Sequence, residues 1–210
     1  MSLLDNISAA VQAGKAKDVV TLVQEAMDIG ITAQEILDNG LLHAMSVVGT
    51  KFKNNEIYVP EILIAARALN KGTELLKPKL VEEGIEPIGK AVICTVKGDM
   101  HDIGKNLVKM MLEGAGFAVV DLGADVSSDK VVEAVKEHDP QIVCLSALLT
   151  TTMQYQKEVI DALKAAGLRD NVKVMIGGAP VNQVFSDQIG ADAYTPDAAT
   201  AAEVAKTFVA

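Results

Sequence analysis

Along this chain the spacing of apolar residues changes character once, near residues 78–90. Up to Lys77 the apolar positions recur at helical intervals, and from residue 90 onward short apolar runs alternate with helical segments. The stretch between them, PKLVEEGIEPIGK, contains two prolines and two glycines and is typical of a linker. The sequence therefore predicts two domains, residues 1–84 and residues 85–210.

The N-terminal part predicts four helices with short connections. Thr32 and Glu35 form a capping box that starts the third helix, and Pro60 fits the first turn of the fourth. Gly40 lies inside the third helix, where glycine costs about 1 kcal/mol relative to alanine and is tolerated if another surface packs closely there. An antiparallel four-helix bundle is the natural architecture for such a segment.

The C-terminal part contains five apolar runs of strand length, at residues 91–96, 118–122, 142–146, 172–176 and 191–194. Helical segments follow them near residues 104–114, 127–137, 152–165, 181–189 and 198–209. Near-continuous apolar strands that alternate with helices indicate a parallel sheet covered on both faces. Five such units predict a doubly wound α/β domain with a flavodoxin-like strand order.

Composition narrows the class of partner. The chain is 50% hydrophobic and 22% charged, so a sizeable core is expected, but its net charge of −9 and seven aromatic residues argue against nucleic acid. No apolar run reaches the about 18 residues of a membrane span, so no membrane partner is expected. Cys94 and Cys144 lie fifty residues apart inside apolar runs, which favours a reducing cytoplasm and predicts no disulfide.

Unusual segments follow three of the predicted strands: KGDMHDIGKN, SALLTTT and GGAP. Ligands of a doubly wound sheet bind beyond the strand ends where the winding reverses, so we expect Asp99, His101 and Ser146 to meet there. A metal-ligating histidine usually donates its second N–H to a carboxylate, which Asp99 can supply. One histidine and one aspartate are too few for a zinc site, which needs about four ligands. A metal held here must bring most of its ligands with it, as a macrocycle does.

Other chemistries are not supported at these strand ends. No glycine-rich phosphate fingerprint follows the first strand, which argues against a nucleotide-binding site. Neither a Gly-x-Ser-x-Gly elbow nor a His-Glu-x-x-His pair occurs in the chain, so hydrolase and zinc-protease sites are not expected either.

Three motifs together resemble the cobalamin-binding domain that holds its corrinoid base-off, with histidine on cobalt: Asp99-x-His101-x-x-Gly104, Ser146-x-Leu148 and Gly177-Gly178. The helical part resembles the cap module of the same family, with Met45, the segment VGTKF at 48–52 and the segment VPE at 59–61. A cap followed directly by a cobalamin domain resembles the corrinoid methyl-carrier proteins of anaerobic methyltransferase systems. Those systems demethylate methylamines, methanol, glycine betaine or aryl methyl ethers. Met100 and the pair Tyr58-Val59 depart from the commoner family residues.

The resemblance implies a role for each matching residue. His101 would be the lower axial ligand of cobalt, and Asp99 and Ser146 would complete a ligand relay. The slot for the displaced nucleotide tail would be lined by Gly104, Leu148, Thr150, Gly177 and Gly178. Val48 and Phe52 of the cap would shield the upper face of the corrin.

The function that this resemblance implies is that of a carrier subunit rather than a complete enzyme. Cobalt would accept a methyl group as Co(I), become methyl-Co(III), and pass the methyl group to a thiol or to tetrahydrofolate. The implied partners are a substrate:corrinoid methyltransferase, an acceptor methyltransferase and a reductive activation protein.

Three alternatives remain open. The cobalamin-binding subunit of a mutase would lack the helical cap. A cobalamin-dependent sensor would need an added DNA-binding or signalling domain. A corrinoid-free receiver-like domain would need an acidic phosphorylation pocket, which the strand ends do not offer.

Overall fold

The computed structural model describes residues 2–210. The chain forms two compact units. The first unit comprises the residues up to Pro87 together with Gly114–Gly116, and the second comprises Ile88–Glu113 and Phe117–Ala210. Within residues 2–210, no helix combines the length and the apolar character needed to cross a bilayer.

The first unit is helical. Its elements are α1 (Leu3–Gln12), α2 (Ala16–Asp28), α3 (Ala33–Glu35), a π-helical stretch (Ile36–Leu42), α4 (His43–Lys53) and α5 (Val59–Glu82). The π-helical stretch joins α3 to α4 without a break, so the unit has the four rods that the sequence predicts. Thr32 and Glu35 form the predicted capping box, because each side chain accepts a hydrogen bond from the other residue's backbone N–H.

Gly40 lies in the π-helical stretch and permits a close helix contact. A Cβ atom at this position would lie 3.1 Å from Cγ2 of Ile7, a fully buried residue of α1. A larger residue would push α1 away. The absence of a side chain at Gly40 therefore allows α1 and the π-helical stretch to pack closely.

The predicted linker starts too early, because α5 continues through Pro78 to Glu82. Proline inside a helix removes one backbone hydrogen bond and crowds the preceding turn, which is why the sequence favours a break there. Leu76 and Leu80 on either side of Pro78 are buried, at 0% and 9% exposure, and their packing keeps the last turns helical. The irregular segment is therefore shorter than predicted, and begins at Gly84 in a left-handed conformation with φ of 69°.

The second unit is a five-stranded, fully parallel sheet in the order β2-β1-β3-β4-β5. Its strands are β1 (Gly89–Thr95), β2 (Phe117–Asp121), β3 (Ile142–Ser146), β4 (Lys173–Gly177) and β5 (Ala193–Tyr194). Its helices are α6 (Ile103–Glu113), α7 (Ser128–His138), α8 (Gln154–Ala165), α9 (Gln183–Ile189) and α10 (Ala198–Thr207). The predicted flavodoxin-like order is confirmed.

The two faces of the sheet have different roles. Cys94, Leu145 and Ile176 belong to a hydrophobic cluster with residues of α7, α8 and α9. Successive side chains of a strand alternate between faces, so the next residues along these strands turn the other way. These are Thr95, Ser146 and Gly177, which are register partners across β1, β3 and β4. The face to which they point is covered by α6 and α10, which pack against each other.

Candidate functional site

The loop after β1 carries the two residues that the sequence singles out first. Gly98 turns the chain at φ of 76°, and its N–H donates to Oδ1 of Asp125 at 2.7 Å. The backbone N–H of Asp125 donates in turn to the carbonyl of Asp99 at 3.0 Å. Thr95 holds the other end of the loop, since its hydroxyl donates to the carbonyl of His101 at 2.9 Å. Hydrogen bonds from the protein itself therefore hold this loop in place at both ends.

Asp99 is fully buried, and each of its two carboxylate oxygens accepts hydrogen bonds. Oδ1 accepts from the backbone N–H of His101 at 3.1 Å and lies 2.7 Å from Nδ1 of the imidazole. Oδ2 accepts from the N–H of Leu148 at 2.7 Å, the N–H of Leu149 at 3.3 Å and the hydroxyl of Thr152 at 2.7 Å. Asp99 therefore links the β1 loop to the β3 loop, as expected of strands that are neighbours in the sheet.

This environment decides the charge of Asp99 and the tautomer of His101. Burial acts to raise the pKa of Asp99, but hydrogen bonds from Thr152, His101 and Leu148 outweigh it and hold the pKa well below its usual range. The ionised carboxylate can only accept hydrogen bonds, so Nδ1 of His101 is the protonated nitrogen. In the neutral ring the lone pair then resides on Nε2. Because the His101 side chain is 52% exposed, Nε2 is available to a metal outside the protein surface.

Ser146 does not occupy the position predicted for it in the relay. The hydroxyl that donates to Asp99 belongs to Thr152, which is 4% exposed. Ser146 instead lies at the end of β3 between Thr95 and Gly177, on the sheet face covered by α6 and α10. The run of three threonines after β3 is the only sequence signal for Thr152, and it does not say which of the three faces the carboxylate.

The three glycines predicted to line the tail slot differ in the space around them. Gly177 has room, since a Cβ atom there would be 3.5 Å from the carbonyl oxygen of Thr195. Gly178 has none: its φ is 128°, and a Cβ atom would lie 1.7 Å from the carbonyl oxygen of Ala147. A Cβ atom on Gly104, in the first turn of α6, would meet open space. Gly178 is therefore required by the fold, whereas Gly104 leaves space free beside the His101 loop.

Apolar side chains around His101 are exposed to an unusual degree. Met100 and Ile103 are 72% and 73% exposed, and Leu148 and Leu149 in the β3 loop are 43% and 42% exposed. Thr150, the remaining predicted slot residue, is also exposed. Apolar surface of this kind, gathered around one oriented imidazole, is typical of a binding site for a large apolar ligand.

The two cap residues singled out by the sequence lie in the first unit, in α4. Val48 is buried at 2% exposure, and Phe52 is half-buried. Of the two, Phe52 has more side-chain surface available for a ligand.

The donor set fits a metal that arrives with its own ligands. Among residues 2–210 there is no group of three or more histidine, cysteine, aspartate or glutamate side chains that could hold a bare ion. A single imidazole with a buried carboxylate behind it would supply one ligand to such a metal, and the remaining ligands would come from the cofactor itself.

Comparison with known proteins agrees with this donor set. A family model described as a B12 binding domain matches residues 89–205, and a second model with the same description matches residues 3–77. A corrinoid protein of Desulfitobacterium hafniense is 41% identical over 212 residues, covering 100% of this chain and 98% of its own length. Trimethylamine corrinoid protein 1 of Methanosarcina acetivorans is 44% identical over 191 residues, covering 86% and 88% of the two chains.

A solved structure extends the similarity to the whole fold. A chain in the crystal structure of a methanol:cobalamin methyltransferase complex from Methanosarcina barkeri matches with a TM-score of 0.89 and 34% identity. The match covers 99% of this chain and 79% of that one. On the strength of these matches and of the oriented His101, the chain belongs to the corrinoid proteins with B12 binding domains.

Proposed function

We propose that this protein carries a methyl group on the cobalt of a bound corrinoid, taking it from one methyltransferase and delivering it to another. The observation that carries the proposal is the pairing of a half-exposed imidazole with a fully buried carboxylate, 2.7 Å apart. Such a pair orients one nitrogen toward a metal while the protein contributes no other ligand. When bound, the corrinoid supplies a cobalt centre that accepts a methyl group and passes it on.

In this proposal the corrinoid would be bound base-off, and His101 would be the protein's lower ligand to cobalt. Residues on the sheet face covered by α6 and α10 would hold its displaced tail. There the row formed by Thr95, Ser146 and Gly177 presents small side chains, or none, to a ligand that passes between the strands and the helices. Gly104, Gly178, Leu148 and Thr150 would line this slot, and the exposed Met100 and Ile103 would offer apolar surface to the corrin.

The chain's own residues manage the proton of the imidazole. Asp99 keeps a proton on Nδ1 and so leaves Nε2 free for the metal. Thr152 and the two backbone N–H groups on Oδ2 keep that carboxylate ionised and fixed. When the ring is off the metal, Nε2 can take up a proton, and the resulting imidazolium is stabilised by Asp99. We therefore assign the relay to His101, Asp99 and Thr152, and assign Ser146 to the slot.

The domain arrangement and the partners follow from the same proposal. Residues 1–84 act as a cap that protects the upper face of the corrin, with Phe52 as the candidate contact, and residues 85–210 hold the cofactor. The carrier works with a substrate:corrinoid methyltransferase, an acceptor methyltransferase for a thiol or tetrahydrofolate, and a reductive activation protein. The similarity to a trimethylamine corrinoid protein and to a chain of a methanol:cobalamin methyltransferase complex supports a one-carbon donor of this class. Two buried free thiols support a reducing, cytoplasmic location.

The alternatives are less well supported. A mutase subunit or a cobalamin-dependent sensor would not be expected to match a stand-alone corrinoid protein over 100% of this chain, including the helical unit. No feature of the site calls for a rearrangement substrate or for DNA.

The ligation by His101 is tested by paramagnetic resonance of the Co(II) corrinoid bound to the purified protein. Nitrogen splitting from one axial ligand is expected, and it should change when the protein is labelled with ¹⁵N-histidine. His101→Ala should lose this protein-derived splitting, whereas His43→Ala, at an exposed position in the helical unit, should keep it. Splitting that persists in His101→Ala would refute the assignment.

The carrier role is tested separately, by the visible spectrum of the reduced, corrinoid-loaded protein. Addition of a cognate methyltransferase with its methyl donor should convert the spectrum to that of a methylated corrinoid, and the acceptor methyltransferase should reverse the change. A spectrum that stays unmethylated with methylamine, methanol and methoxy-aromatic systems alike would contradict the proposed donors.

A further inference from the structure

A second charged cluster lies beside the site, on the helix that follows His101. Lys105 of α6 is only 3% exposed, and its ammonium group lies 2.7 and 2.8 Å from the two carboxylate oxygens of Asp121, the last residue of β2. Lys109, one turn further along α6, reaches the same carboxylate at 3.4 Å. None of these three residues takes part in the relay or in the tail slot.

The hydrogen bonds of this cluster are complete. The third contact of the Lys105 ammonium is to Oδ1 of Asn106 at 2.8 Å, and Oδ1 of Asp121 also accepts from the N–H of Gly123 at 2.9 Å. Partial burial acts to raise the pKa of Asp121, but the hydrogen bonds from Lys105 and Gly123 and the charges of both lysines hold it below its usual value. The Asp121 carboxylate is therefore ionised at neutral pH.

Lys105 is buried and Asp121 is only 20% exposed, so this ion pair lies largely out of water, and stability alone does not explain why it is there. Apolar residues of similar volume in its place usually leave a protein as stable or more stable, because two charges need not be desolvated. A saturated ion pair does have one advantage over apolar contacts, since it permits a single arrangement of the two elements it joins. The elements that the Lys105–Asp121 pair joins therefore indicate its role.

The cluster connects by hydrogen bonds to the residue next to His101. Asn106 accepts from Lys105, and its own side-chain amide donates to Oδ2 of Asp102 at 3.1 Å. The backbone N–H of Asn106 donates to the carbonyl of Asp102 at 2.8 Å. An unbroken series of contacts therefore runs from the end of β2 through the first turn of α6 to the peptide that follows the imidazole.

We propose that the Lys105–Asp121 ion pair is a positioning device for His101. The pair connects the first turn of α6 to the end of β2. It thereby holds the loop between β1 and α6 in the position in which Nδ1 of His101 contacts the Asp99 carboxylate. A loop that must release and recapture a metal needs such a fixed support. The predicted effect of the ion pair on metal ligation therefore rests on the proposed function. Its predicted effect on the imidazole of the apo protein is independent of that function.

The test in the apo protein is the Nδ1–H proton of His101 in nuclear magnetic resonance of ¹⁵N-histidine-labelled protein. Nδ1 lies 2.7 Å from Oδ1 of the buried carboxylate, so the proton between them should give a downfield resonance that exchanges slowly with water. In Lys105→Met the exchange of this proton should be faster by about tenfold, taking the lower end of the effect of outer-shell losses on a site. Lys157→Met is the matched control, since it breaks an exposed lysine–aspartate pair on α8.

The double variant Lys105→Met/Asp121→Leu separates positioning from stability. It leaves no unpaired charge, so it should unfold thermally near the wild-type temperature while still exchanging the Nδ1–H proton rapidly. Asp121→Asn changes little in size but leaves the Lys105 ammonium without its carboxylate, so it should exchange the Nδ1–H proton faster than wild type and also unfold at a lower temperature. Wild-type exchange in a folded double variant, or in a folded Asp121→Asn, would overturn the proposal and leave the pair a purely structural contact.

Corrinoid-loaded protein gives the second readout. The ratio of His-on to His-off Co(II), measured by nitrogen splitting, should fall about tenfold in both Lys105 variants and stay unchanged in Lys157→Met. A wild-type protein without nitrogen splitting would refute the ligation by His101, but the exchange measurement would still decide the effect of the ion pair on the imidazole. Wild-type splitting that is undiminished in the variants would refute the positioning role alone.

Discussion

Asp99→Asn replaces a single oxygen by an amide group, and the structure predicts that it reverses the tautomer of His101. Three donors converge on Oδ2, namely Leu148 N–H, Leu149 N–H and the Thr152 hydroxyl, so the asparagine carbonyl oxygen takes that side. The amide nitrogen then faces His101. Nδ1 must accept a hydrogen bond rather than donate one, which moves the ring proton to Nε2 and removes the lone pair that a metal needs.

The cost in stability follows from the same contacts. The backbone N–H of His101, 3.1 Å from Oδ1, loses its acceptor, which costs about 1 kcal/mol for a part-buried hydrogen bond. The short bonds from Leu148 and Thr152 lose the benefit of a charged acceptor, about 1 kcal/mol each. Relief from burying a charge offsets part of this. We expect the free energy of unfolding to fall by about 2 kcal/mol, while the corrinoid remains bound through its tail.

Urea denaturation measures the loss of stability, and ¹⁵N-histidine resonances measure the tautomer directly. The nitrogen splitting of bound Co(II) should shift from His-on toward His-off. Thr152→Val is the matched control: it removes one donor from Oδ2 and about 1–3 kcal/mol of stability, yet it leaves the carboxylate and the Nδ1–H tautomer in place. An Asp99→Asn protein with the wild-type tautomer and wild-type His-on occupancy would show that the carboxylate does not orient the ring.

The other predictions concern the slot, the fold and pH. Gly178→Ala should destabilise the protein by about 3 kcal/mol or more in urea, because its Cβ atom would lie 1.7 Å from a backbone oxygen, whereas Gly177→Ala should fold normally. Ser146→Ala should leave the Nδ1–H resonance of His101 unchanged but alter corrinoid affinity in equilibrium titration; a changed resonance with unchanged affinity would return Ser146 to the relay. The lowered pKa of Asp121 adds stability that is fully present above the unfolded value of about 3.9 and is lost as pH falls through the folded value. Asp121→Asn should therefore flatten the acid limb of stability against pH, and an unchanged slope would contradict the ion pair.

Much of this architecture is visible in the residue pattern because it depends on local periodicity. Apolar runs of strand length predict β3 at Ile142–Ser146 with the bounds that the structure has, since a strand buried on both faces must be apolar throughout. The site loop is recognisable for a related reason: Asp99 and His101 are two residues apart, so one short turn brings the carboxylate to Nδ1. Contacts between near neighbours in the chain need little information beyond the sequence.

Where the prediction was wrong, packing between distant segments outweighs a local preference. Pro78 indicates the end of a helix, but buried Leu76 and Leu80 carry α5 past it to Glu82. An extended apolar face stabilises the last turns by more than one missing hydrogen bond weakens them. The helix-breaking effect of Pro78 can be predicted from the sequence, whereas the burial of Leu76 and Leu80 that offsets it cannot.

The hydroxyl that donates to Asp99 and the Lys105–Asp121 ion pair could not be predicted from the sequence, for a common reason. Thr152 is the third of three adjacent threonines, and only the turn after β3, in which its N–H bonds to the carbonyl of Leu149, directs it toward Asp99. Lys105 lies in α6 and carries a charge that periodicity predicts to face solvent, yet its partner is Asp121, sixteen residues away at the end of β2. The sequence alone determines most of the elements, their order and the pairing of His101 with Asp99. Which side chains stand behind that histidine depends on distances between segments that are remote in the chain, and only the tertiary structure brings those segments together.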